Sequence, residues 1–252
     1  MNTPKSAILR WSTLIVVLLN IAFNYFYISI SGHPSMGSVS ARYPSLFTPP
    51  AFAFSIWGLI YFSFCVYCFI QLQPWRKNKK VYNQLSLPLL VANILAAAWI
   101  WVYTSGFILA SVIILGVMLI LSIDMFVTAG KASLSPKHSW WIQVPFSLFC
   151  GWLSVAFLAN LSVLIAAQQG KPNSNLTLVL LAVACLAVVI VSLRSRNALY
   201  PAVIAWACVA LWSIRKYDYP QIAFTALAIS IVSIIMIIAA AYRWSDYKKK
   251  ID

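Results

Sequence analysis

Eight runs of mostly apolar residues divide this chain, at 8–30, 51–73, 84–103, 107–129, 143–168, 176–193, 198–215 and 221–243. A helix that crosses the hydrocarbon core of a bilayer needs about 20 apolar residues. Inside lipid every backbone N–H and C=O must be satisfied within the protein, so helices and closed barrels are the only spanning structures. The composition agrees with the first of these: 62% of residues are hydrophobic and 9% charged, with a mean hydropathy of +0.87. Soluble domains carry about 25% charged residues. The chain is therefore expected to be all-α, a polytopic membrane helix bundle with about eight transmembrane helices. Thr104-Ser105-Gly106 separates the third and fourth runs and predicts a tight helical hairpin. Arg194-Ser195-Arg196-Asn197 separates the sixth and seventh, which are the shortest and have the least defined boundaries.

A net charge of +14 invites a nucleic-acid reading. The basic residues instead form short clusters between the apolar runs, which is a topology signal and not a phosphate-binding face. With the N-terminus inside, Lys5, Arg10, Arg76, Lys77, Lys79, Lys80, Lys131, Lys137, Arg194, Arg196, Arg243 and Lys248 to Lys250 are cytoplasmic. Arg42, Lys171, Arg215 and Lys216 are outside. Fourteen against four places both termini in the cytoplasm, which requires an even number of spans. The first run is read as a retained helix and not a signal peptide, because it is long and ends in Phe23, Tyr25, Phe26 and Tyr27.

Few side chains here can perform acid–base or metal chemistry. Cys65 and Cys68 form a CxxC, but no second pair or histidine cluster accompanies them, so all five cysteines read as small apolar residues within helices. His33 and His138 fall in loops far apart. Asp124 is the one acid within a span, and there is no glutamate. An intramembrane acid is a candidate functional residue, although pairing with Lys131 or snorkelling also accounts for it. This scarcity argues against hydrolysis, phosphoryl transfer and ion-coupled transport, so no enzyme activity, metal or cofactor is expected.

Eleven tryptophans remain to be explained. Trp11, Trp75, Trp140, Trp141 and Trp244 lie near cytoplasmic helix ends, and Trp99, Trp101 and Trp212 toward outer ends. Interfacial belts account for all eight. Trp57, Trp152 and Trp206 sit deeper; Trp57 is roughly 7–8 Å outward of the middle of its run. Trp57 and Tyr61 share a helix face, as do Asn20 and Asn24, while Trp152, Ala156 and Asn160 form one stripe and Asn93 is central in the third run. Two readings stay open: helix–helix packing with amides as glue, or an aromatic-walled pocket carrying a few amides. Such a pocket would open toward the long outer loop, Ser31 to Pro50, which is either a lid or a passive linker. Pro49 and Pro50 mark where that loop feeds the second run. Ala226-xxx-Ser230 in the last run is a small-xxx-small pair that allows a homodimer.

Three segments together resemble the tryptophan-rich sensory protein family, the TspO group related to the translocator protein. They are residues 48–61 with Pro49-Pro50, Ile56-Trp57 and Tyr61; the stretch around Asn93 and Trp99; and residues 145–160, where Trp152, Val155-Ala156 and Asn160 keep the family's spacing. The likeness covers about residues 8–168. It implies a five-helix core over residues 1–168, and the three additional helices and basic tail over 169–252 have no counterpart in a five-helix protein. It also implies a pocket under the first loop that takes a tetrapyrrole or sterol-like ligand, with Trp57 and Trp152 as walls and Ala156 at a porphyrin- or sterol-sensitive position. Ala51-Phe52 stands where the family usually has a tryptophan just after the prolines. The resulting expectation is a binding or sensory protein of a bacterial inner membrane, with Pro49, Pro50, Phe52, Trp57, Tyr61, Asn93, Trp152, Ala156 and Asn160 around the ligand. A carrier for an apolar solute is the alternative, and a porphyrin-degrading enzyme a third reading.

Overall fold

A computed structural model describes residues 4–76, 80–134 and 140–249. Lys77, Lys79, Lys137, His138 and Lys250, which the sequence assigns to loops or to the tail, lie outside the described residues. The elements are α1 (Pro4–Ser31), α2 (Met36–Ala41), a 3-10 turn (Ala51–Ser55), α3 (Ile56–Gln71), α4 (Lys80–Thr104), α5 (Ile108–Ser133), α6 (Val144–Gln169), α7 (Ser174–Arg194), α8 (Leu199–Arg215) and α9 (Pro220–Lys249). Seven of the spans are long and apolar enough to cross a membrane, and α8 is a shorter apolar helix. The eight expected spans are all present. The second is not a single α-helix, because a 3-10 turn follows Pro49-Pro50 before α3 begins.

Local chemistry accounts for several helix ends. Pro220 opens α9 at a position where the missing N–H costs nothing. The hairpin between α4 and α5 closes with Phe107 N–H on Val102 O (3.1 Å) and Gly106 N–H on Tyr103 O (3.0 Å). This paired pattern needs a left-handed residue after the helix, and Gly106 supplies it at φ +85°. Asn173 caps α7 by accepting from Leu176 N–H at 2.9 Å.

The chain forms two compact units, Met1–Val39 with Ile56–Cys150, and Ser40–Ser55 with Gly151–Asp252. In the first, α1 packs on α3 and α4, and α4 packs on α5. Its core is aromatic: Phe64 meets Phe149 at 5.2 Å, and Tyr67 meets Phe146 at 4.9 Å edge-on. Arg10, expected as a flanking topology residue, is only 3% exposed. Its guanidinium donates to Gln71 O (3.0 Å), Arg76 O (3.2 Å) and Asn83 Oδ1 (2.8 Å). A cation at the carbonyl end of α3 satisfies acceptors that the helix leaves open and opposes its dipole.

In the second unit α8 packs on α9, and α7 packs on both. The α9 face buried here is made of small residues, Ala223, Ala226, Ser230 and Ser233, all at 2% exposure or less. Small side chains let helix backbones approach closely, which is the main source of attraction between helices in lipid. The Ala226/Ser230 pair is thus buried within the chain's own fold. Gly151 of α6 serves the same purpose: a Cβ placed there would lie 2.9 Å from Val203 Cβ and 3.3 Å from Tyr200 O of α8.

Candidate ligand-binding site

The residues picked out by the sequence fall into two groups, one in each unit. In the first unit, Trp57 is half-buried one residue into α3 and stacks on Tyr61, with ring centroids 5.3 Å apart and an interplanar angle of 26°. Phe149 meets Trp57 edge-on at 6.3 Å. The one-turn spacing of Trp57 and Tyr61 therefore produces the shared face expected of it. Asn20 Nδ2 donates to Asn93 Oδ1 (2.9 Å), Asn24 Nδ2 donates to Asn20 Oδ1 (2.8 Å), and Asn93 Nδ2 donates to Leu89 O (2.9 Å). The Asn93 amide is thus engaged at both ends, its oxygen joining α4 to α1 and its nitrogen bonding back within α4. The Tyr61 hydroxyl lies beside Asn20 without a well-aligned hydrogen bond, so the aromatic pair and the amide ladder adjoin.

In the second unit the loop that precedes α3 is tied down along its length. Ser45 Oγ donates to Ser162 Oγ of α6 at 2.9 Å, and Thr48 Oγ1 donates to Ser45 Oγ at 3.0 Å. Arg215 of α8 donates to Ser45 O (3.0 Å) and Leu46 O (3.2 Å). Trp206 Nε1 donates to Ala53 O at 3.0 Å, and its ring meets Phe52 edge-on at 5.8 Å. The accepting carbonyl, that of Ala53, lies in the 3-10 turn after the prolines. Pro49 is buried and Pro50 half-buried within the strap. Trp206, one of the three tryptophans that a belt does not explain, is thereby accounted for as a fastening. Neither it nor Arg215 was assigned a fastening role from the sequence; a tryptophan at mid-helix depth was the available signal for the first.

Trp152 is different. It is 1% exposed, meets Phe54 of the strap edge-on at 5.6 Å, and its indole N–H has no hydrogen-bond partner among the described residues. Ala156 and Asn160 follow one and two turns along α6, half-buried and 4% exposed. Stranding a buried donor costs about 1–3 kcal/mol. Trp99 departs from the belt expectation. It is 8% exposed, stacks on Tyr103 at 5.3 Å, and its indole N–H also lacks a partner among the described residues. Two residues on, Trp101 is 52% exposed. Residues two apart on a helix point about 200° away from each other, so only one of the two can face lipid.

Helices of this length and apolarity, with aromatic and amide side chains in their interiors, define a polytopic α-helical membrane protein. The chain belongs to the family described as TSPO-like protein, which it matches over residues 10–239. No curated protein and no solved structure matches it. The match continues from α1 into α9, so the family likeness takes in the last three spans as well as the five that carry the motifs read from the sequence.

Proposed function

We propose that this protein binds a flat, hydrophobic ligand such as a porphyrin or a sterol-like molecule within the membrane, and that it does so without converting it. The observation that carries this reading is Trp152, a fully buried aromatic with a free N–H beside Phe54. An apolar ring system packs against such walls, and a single polar acceptor on its edge fixes its orientation. Carboxylate side chains or ring nitrogens of a tetrapyrrole, or the hydroxyl of a sterol, supply that acceptor. Ala156, one turn on along the same stripe, adds only a methyl group to that wall. The strap over 45–55 supplies Phe54, so the ligand wall depends on the fastening by Arg215 and Trp206.

The test is a tryptophan-fluorescence titration of detergent-purified protein with protoporphyrin IX, haem and cholesterol. Saturable quenching by at least one of them is expected. Trp152→Phe keeps an aromatic side chain but removes the donor and part of the indole's surface, and should weaken binding by at least about tenfold, the worth of one hydrogen bond near 1.4 kcal/mol. Absence of saturable binding by all three compounds would sink the reading. Unchanged ligand absorbance after prolonged illumination of the complex is expected if no conversion occurs.

A further inference from the structure

Where α7 hands over to α8, the second unit has a short, rigid turn. Asn197, 2% exposed, accepts from the N–H groups of Leu199 and Tyr200, both at 3.0 Å, and so caps α8. The Ser195 N–H closes α7 on Val191 O at 2.9 Å. The last turns of α9 lie against this corner. Arg243 donates to Ser192 O (2.9 Å) and Ser195 O (3.3 Å), and the Arg196 guanidinium stands 4.6 Å over the Tyr247 ring. Exposed Arg194, half-exposed Arg196 and exposed Arg243 thus share one end of the unit, and α9 runs on through Lys248 and Lys249. Asp246 is the one acid on that last stretch of α9. Within the same corner the hydroxyls of Ser192 and Ser195 are shielded from solvent and have no hydrogen-bond partner among the described residues.

We propose that this corner seats the phosphate of an anionic phospholipid headgroup. Guanidinium groups bind phosphate oxygens in pairs, and unpaired hydroxyl donors add to that recognition. The corner lies at the ends of three apolar helices, where headgroups sit, and Trp244 and Tyr247 are of the residue types that collect at that level. Basic clusters immediately beyond a transmembrane helix attract anionic lipid. A phospholipid fits better than free phosphate because an exposed apolar stripe on α7, through Val183, Leu186, Ile190 and Leu193, leads directly to Arg194. Acyl chains have a surface to lie on there.

Native mass spectrometry of the full chain in detergent tests this, with phosphatidylglycerol and phosphatidylcholine of identical acyl chains. Phosphatidylglycerol should be retained at about tenfold lower concentration than phosphatidylcholine. Arg194→Gln with Arg196→Gln should abolish that difference, while Arg42→Gln with Lys171→Gln, at other loops, should keep it. Should the arginine variant unfold, Ser195→Ala serves as the second probe and should narrow the preference. Equal retention of the two lipids by the unaltered protein overturns the proposal, as does a preference that survives in a folded arginine variant. Displacement of phosphatidylglycerol by equimolar inorganic phosphate overturns the lipid in favour of the free anion.

Discussion

Asn20 and Asn93 meet across α1 and α4 at 2.9 Å, both at 3% exposure or less. In lipid an amide that loses its partner has no water to turn to, although the unfolded state in a membrane also finds partners, and measured values average about 0.6 kcal/mol with a maximum near 1.7. Asn93→Leu is therefore expected to lower stability by about 1 kcal/mol, read from SDS-induced unfolding in mixed micelles. The Asn20→Leu/Asn93→Leu pair should lose less than the two single changes together; strict additivity would show that the bond contributes nothing. These residues were legible in the sequence as polar positions inside apolar runs, and Asn20 and Asn24 as neighbours on one face. That Asn93 is the partner was not, because the pair is separated by 73 residues and local spacing carries no information about the rotation of a distant helix. Trp99 and Trp101 make the same point: both read as belt residues, and only the packing shows that Trp99 turns inward.

At the level of elements, helix lengths and several of their ends follow from consecutive residues. The Thr104-Ser105-Gly106 hairpin forms where expected, with Gly106 in the left-handed conformation that closes α4. The 3-10 turn at Ala51–Ser55 was not foreseen; its support comes from α8 through Trp206, far away in sequence. Close helix approach gives a sharp test. Gly151→Val places its side chain against Val203 and the Tyr200 carbonyl, and overpacking of this kind costs about 1–3 kcal/mol. Gly58 has nothing within 4 Å of its Cβ position, so Gly58→Ala should be neutral or slightly stabilising through helix propensity. Thermal unfolding in detergent distinguishes the two; equal behaviour would contradict the close crossing of α6 and α8.

For the molecule as a whole, the basic residues argue for both termini on the cytoplasmic side, and eight spans meet the parity that this requires. In a bacterial inner membrane, green fluorescent protein fused to the C-terminus should fluoresce and alkaline phosphatase fused there should be inactive. The same phosphatase inserted at Lys171 should be active, and the reverse pattern would invert the topology. The sequence by itself determined the membrane setting, the all-α class, the number of spans and the aromatic positions worth attention. Partitioning into lipid and helix formation depend on the composition of consecutive residues, so they are written in any stretch of twenty. The tertiary structure decided which polar group meets which: Arg10 as a cap on α3, Arg215 and Trp206 as fastenings of the strap, Ala226 and Ser230 as internal packing, and Trp152 and Trp99 as buried indoles without a partner among the described residues. Those outcomes depend on the rotation and depth of helices brought together from distant parts of the chain, and no local pattern encodes them.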